Sequence, residues 1–147
     1  EEPLYWYLQP EDFIALAREC PIPLANGERE MHRYSARDFI DSGAIKYIQF
    51  DSVRHMGFTE ALKIAEHAAL KNVLVAPHAS PHYHGHLVSA LGDAAYAAEY
   101  MGTEHLHPVH NAIYQSDNRV KNGVLQLSDA PGWGITVDWK EVDKFRV

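Results

Sequence analysis

Apolar residues recur along the first hundred positions in two alternating rhythms, one of period three to four and one of near-continuous short runs. "PEDFIALAREC" begins with Pro10 and acids and then brings Phe13, Leu16 and Ala17 to one face, the pattern of a helix. "PIPLANGE" is a short apolar run ending in Asn-Gly, a buried strand that leads into a loop. "SARDFIDSG" predicts a second helix, with Ser35 as N-cap and Gly43 as the stop. "AIKYIQFD" is β-branched and aromatic, a second strand closing on Asp51. "TEALKIAEHAALKN" is a helix capped by Thr59, with Ala61, Leu62, Ala65, Ala68 and Ala69 at helical spacing. "VLVAPHA" predicts a third strand, "HGHLVSALGD" a helix and "AAYAAEY" a short fourth strand.

Strands apolar throughout are strands buried on both faces, and their alternation with helices predicts parallel βα units. After Tyr100 the rhythm lapses into a polar stretch, ending in "APGWGITVDWKEVDKFRV", a turn, a short strand and an amphipathic tail.

Each strand closes on a titratable side chain. Glu28 follows the first, Asp51 ends the second, His78 ends the third, and Glu99 lies near the end of the fourth, at separations of 23, 27 and 21 residues. An eightfold βα barrel repeats about every 30 residues and gathers the C-terminal strand ends on one catalytic face. A single strand-end carboxylate has a bland alternative as a helix cap or solvated loop charge. Four in consecutive units point to one bowl.

Composition narrows the partners. The 147 residues suit one domain with a real core, and a net charge of −7 argues against nucleic acid. No apolar run is long enough for a membrane span, so no membrane partner is expected. The lone Cys20 excludes an internal disulfide and suits a reducing cytoplasm; beside "PIPLAN" it reads as a buried apolar thiol rather than a nucleophile. The opening "EEPLYWYLQPEDF", with no Met, reads as a chain begun mid-fold.

These residues reach a resemblance. "EEP" at Glu1–Pro3, "ANGE" ending at Glu28, "FDSVRHMGFTEALKIA" from Phe50, "VAPHAS" around His78, "AEY" at Glu99–Tyr100 and "PGWGITVD" from Pro131 stand in the order of the enolase superfamily. The chain most resembles its mandelate racemase subgroup, and least so from Met101 to Gly123. The resemblance implies an α/β fold: the C-terminal half of a TIM-like barrel, from the end of strand four through strand eight, over residues 1–100. Residues 101–147 would then return to a capping domain outside this chain. Glu1 and Glu28 correspond to ligands of an essential Mg²⁺. Asp51 and His78 correspond to the general acid/base dyad, and Glu99 to the Glu lying against the substrate carboxylate. Met56 and Phe50 depart from the family's usual Gly and Pro, at positions the family does not use for catalysis.

The chemistry suits the residue types. A hard cation takes carboxylate oxygens. Removing a proton α to a carboxylate leaves concentrated negative charge that such an ion stabilises. An imidazole oriented by an aspartate can move that proton near neutral pH. The resemblance thus implies a Mg²⁺-dependent acid sugar dehydratase acting on a sugar acid or other 2-hydroxy carboxylate, homo-oligomeric when complete. A racemase or epimerase with the same dyad remains open.

The third metal carboxylate would lie before Glu1, so the chain by itself is expected to bind metal weakly, not to turn over, and to expose sheet edges. A catalytically incomplete half barrel that needs a partner chain is the reading of another class. His82, His84 and His86, spaced by two, match no standard zinc pattern. They read as loop and helix-start residues, with His82 or His84 a candidate substrate contact. Arg54, with His55, is a candidate at the rim. His105, His107 and His110 read as surface or interface residues, and Tyr5, Trp6 and Tyr7 as packing or subunit contacts.

Overall fold

Pro10 presets the first turn of α1 (Pro10–Glu19), whose start is tied by the Gln9 N–H donating to the Asp12 carboxylate at 2.9 Å. The computed structural model describes residues 1–102 and 108–146. The first-half element order is α1, β1 (Leu24–Asn26), α2 (Arg33–Asp41), β2 (Ile45–Ile48), α3 (Gly57–Leu70), β3 (Leu74–Val75) and α4 (Pro81–Leu91). The three strands pair in parallel in the order β1–β2–β3. Parallel neighbours in sequence order require each helix to cross over the sheet, as the alternation predicts.

The sheet is apolar because it is covered. Leu24, Ile45, Ile48 and Val75 are buried with Phe13, Phe39 and Ile40 of the first two helices and Ala61, Ile64, Ala65 and Ala68 of α3. Phe13 meets Phe39 edge to face, at 5.1 Å between ring centroids. Alanine at three of the four buried α3 positions lets that helix lie close to the strands. Cys20 packs against this core, as the apolar reading of its thiol expects.

The structure moves several boundaries. α2 starts two residues before Ser35: His32 is the N-cap, its Nδ1 accepting from the Ser35 N–H, while the Ser35 hydroxyl donates back to the His32 carbonyl. α3 begins at Gly57, not behind a Thr59 cap, because the Asp51 carboxylate already turns the chain by accepting the Val53 and Arg54 N–H groups. α4 begins at Pro81, which takes His82 out of the loop and into the first turn. The expected fourth strand reduces to one parallel bridge between Val75 and Ala95, after a 3₁₀ turn at Gly92–Ala94.

The tail holds more structure than its polar sequence indicates. It runs through α5 (Pro108–Ile113), β4 (Tyr114–Ser116), β5 (Arg119–Lys121), β6 (Val124–Gln126), β7 (Ile135–Val137) and α6 (Trp139–Lys144). β4 pairs antiparallel with β7, and β5 with β6. The β5–β6 hairpin turns at Asn122-Gly123, both at positive φ, the dipeptide that a primed two-residue turn favours. This hairpin packs on α4: a Cβ at Gly85 would run into the Leu125 side chain. Asn118, only 2% exposed, fastens the segment, its amide donating to the carbonyls of His82 and Trp133 and accepting the Ser128 N–H.

Candidate active site

Past their formal ends the strands stay in register: the Gln49 N–H donates to the Asn26 carbonyl at 2.8 Å and the His78 N–H to the Phe50 carbonyl at 3.1 Å. That ladder carries Glu28, Asp51 and His78 to one end of the sheet. His78 Nδ1 lies 3.1 Å from Asp51 Oδ2, and His78 Nε2 lies 3.0 Å from Glu28 Oε2. The three strand-end residues therefore meet through one imidazole.

Asp51 is buried and fixed. Its Oδ1 accepts the Val53 N–H at 2.9 Å and the Arg54 N–H at 3.0 Å, leaving Oδ2 to His78. Burial works against its charge, yet the His78 hydrogen bond and the two amides outweigh it and hold the carboxyl below the usual aspartate range. For His78 the Asp51 hydrogen bond is the largest influence and raises its pKa; burial opposes this, and the charges of Glu28 and Glu99 add to the rise.

Glu99 reaches the same loop by another route. Its Oε2 accepts the Ala79 N–H at 2.6 Å, directly after His78. Ala79 and Ser80 both sit at positive φ, 49° and 45°, the left-handed region that non-glycine residues avoid. Glu99 thus grips a strained turn beside the imidazole.

The expected pair Glu1 and Glu28 is arranged differently from its simplest reading. Glu1 is exposed, and the carboxylate tied to the Glu28 loop is that of Glu2, whose Oε1 accepts the Gly27 N–H at 3.2 Å. Glu2 was overlooked in the sequence, where the doubled acid of "EEP" was its only signal. Glu28 Oε1 faces the Arg54 guanidinium at 3.4 Å.

The four histidines of residues 78–86 go four ways. His82 Nδ1 lies 3.2 Å from Ser116 Oγ, and His82 lines a cavity of about 400 Å³ with Arg54, His78, Tyr83, Tyr100 and His110. His86 donates through Nε2 to the Trp133 carbonyl at 3.2 Å, against the Trp133 ring. His84 corrects the expectation of a substrate contact: its side chain is 0% exposed, because a helix starting at Pro81 turns it inward onto Ser52 and Ala79. Among the described residues no group of three or more His, Cys, Asp or Glu could hold a metal. His105 and His107 lie outside the described residues. His110 is exposed, as its surface reading expects, and also lines the cavity, a placement only the fold of the tail reveals. Tyr5, Trp6 and Tyr7 are exposed, with Tyr5 stacked on Tyr7.

Comparison with known proteins places the chain in a family. The family described as "Enolase C-terminal domain-like" matches residues 1–142. The chain belongs to that family. Its relatives include the D-galactarolactone cycloisomerase of Agrobacterium fabrum, 29% identical over 100% of this chain and 41% of that protein. The D-galactonate dehydratase of Ralstonia nicotianae is 29% identical over 88% and 36%.

Among solved structures, a mandelate racemase/muconate lactonizing enzyme from a marine actinobacterium in complex with magnesium superposes with a TM-score of 0.85 at 28% identity, covering 99% of this chain and 41% of that one. L-Talarate dehydratase from Polaromonas sp. JS666, complexed with Mg and L-glucarate, superposes at 0.80 and 27% identity, covering 97% and 37%. This member of the enolase C-terminal domain-like family spans about two fifths of the length of such relatives. Among its described residues no helix is long and apolar enough to cross a membrane.

Proposed function

We propose that this chain carries the acid/base side of a magnesium-dependent acid sugar dehydratase. The reaction removes the proton α to a carboxylate, expels the β-hydroxyl as water, and yields a 2-keto-3-deoxy acid after tautomerisation. The supporting observation is the orientation of His78: Asp51 holds Nδ1, which turns Nε2, the atom that would move the proton, toward Glu28, its partner in this structure. An imidazole whose pKa is raised by a carboxylate keeps a proton at Nε2 that it can deliver to a departing hydroxyl. Once neutral, the same atom can take a proton. Glu99 orients the His78 loop and lies close enough to act on its charge.

The donor set suits a hard cation. Glu1 and Glu28, with Glu2 beside them, offer only carboxylate oxygens, which is what Mg²⁺ prefers. When bound, the ion would stabilise the negative charge that develops on the substrate carboxylate. Arg54 and His82, in the cavity wall, would contact the hydroxyls or carboxylate of the sugar acid.

The architecture we infer is the barrel half running from the end of strand four through strand eight, with residues 101–147 as an extension on its rim. A second reading, an isomerase using the same dyad, draws on the likeness to a cycloisomerase. Incubating the complete enzyme with a library of acid sugars under a 2-keto acid assay tests the choice. A keto acid from one member, abolished by His78→Asn, is the expected result. An isomer without keto acid would select the second reading.

A further inference from the structure

The buried histidine of α4 has a place that the dyad itself does not explain. His84 Nδ1 lies 2.8 Å from the Ala79 carbonyl, which can only accept, so Nδ1 carries the hydrogen. Burial lowers the pKa of this ring and keeps it neutral, so Nε2 is a lone-pair acceptor. It faces the Ser52 hydroxyl at 2.8 Å and the Ser52 N–H at 3.3 Å. Ser52 directly follows Asp51, and Ala79 directly follows His78. One neutral ring therefore spans the two strand-end loops that carry the dyad, joining the residue after the aspartate to the residue after the histidine.

The Ala79 peptide is gripped at both ends: Glu99 accepts its N–H and His84 donates to its carbonyl. Those two bonds flank Ala79, the first residue of the left-handed pair Ala79-Ser80. Backbone in this region persists only where the surroundings over-determine it.

We propose that His84 is a positioning residue for the proposed acid/base reaction, a neutral strut in the Nδ1–H form that fixes the His78–Asp51 geometry through Ala79 and Ser52. The kinetic half of this proposal rests on the dehydratase reading; the structural half does not. Replacing the ring keeps the His78 and Asp51 side chains in the sequence but lets the loops that carry them separate. Near-attack geometry is sensitive to such shifts at the level of an ångström.

Nitrogen-15 histidine correlation spectra of the complete enzyme, with kinetics of His84→Phe and Ser52→Ala, test it. The spectra should give His84 as the neutral Nδ1–H tautomer. Ser52→Ala, which keeps the core intact, should move the ring resonances of both His84 and His78. Both variants should lower kcat while leaving KM nearly unchanged, His84→Phe by about 10- to 100-fold and Ser52→Ala by less. The double variant should be no slower than His84→Phe alone, because both changes break one strut. An Nε2–H or cationic His84 at neutral pH, or a His78 ring indifferent to Ser52→Ala, overturns the strut whether or not any substrate is found. A wild-type enzyme that eliminates water from no acid sugar, with the expected spectra, removes the dehydratase reading and leaves the strut standing. Unchanged kcat in both variants of an active enzyme overturns the positioning role.

Discussion

At the scale of the residue, the site is a set of histidines made different by what surrounds them. His78 gains a carboxylate on each ring nitrogen, whereas His84, a little farther along the chain, gains a carbonyl, a hydroxyl and burial. Their pKa values consequently move in opposite directions. The folded His84 resists protonation, while the unfolded chain takes up a proton as pH falls past about 6.5. The unfolded state then binds more protons, so stability is full above that pH and declines as pH drops toward the folded value. Comparing wild type with His84→Gln in urea at pH 7.5 and pH 5.5 separates this contribution from the opposite one of His78: acidification should cost the wild type more stability than the variant. A loss of the same size in the variant would show that the ring is not held neutral by burial.

At the scale of the element, strand ends and helix starts do the positioning, and one glycine decides whether they can. Gly27 lies between β1 and Glu28 at φ +138°, and a Cβ there would come within 3.0 Å of the Gln49 backbone nitrogen. Neither the torsion nor the neighbouring strand gives way cheaply. Gly27→Ala should therefore lower unfolding free energy by about 1–3 kcal/mol in denaturant titrations. It should also displace Glu28 and so weaken its ion pair with His78. An unaltered midpoint would mean that the β1 end is softer than its packing implies.

The helices and parallel strands were legible in the sequence because period and burial agree along residues 10–91. The starts of α2 and α3 were not, because the His32 side chain caps the one and the Asp51 carboxylate turns the chain ahead of the other, neither of which a propensity pattern assigns. Asp51, His78, Glu28 and Glu99 were legible as strand closers. The role of His84 was not, since histidines spaced by two give no direction until Pro81 sets the helix phase. The closing strand and helix of the tail were legible, but the strands of residues 114–126 were not, chiefly because they are three residues long, though Asn122-Gly123 between Arg119–Lys121 and Val124–Gln126 was a usable hairpin signal.

At the scale of the whole molecule, the chain covers about two fifths of its relatives, and the groups proposed for acid/base work are better assembled than those proposed for the metal. His78, Asp51 and Glu28 touch, while Glu1 is exposed and the described residues form no three-donor cluster. Calorimetric titration of this 147-residue chain should detect only weak magnesium binding, and the complete enzyme a markedly tighter site. Tight stoichiometric binding by the chain alone would contradict the division of donors proposed above.

The amide of Asn118 ties the first turn of α4, far back in the sequence, to the Ser128 backbone and the Trp133 turn. No two of them satisfy it. It acts as a coincidence detector for assembly, since its burial is favourable only after the helix, the hairpin and the turn have all arrived. The same residue whose carbonyl it holds, His82, lines the cavity wall. The middle of the tail is thereby fastened to the wall of the cavity, so loosening the Asn118 joint would be felt at His82.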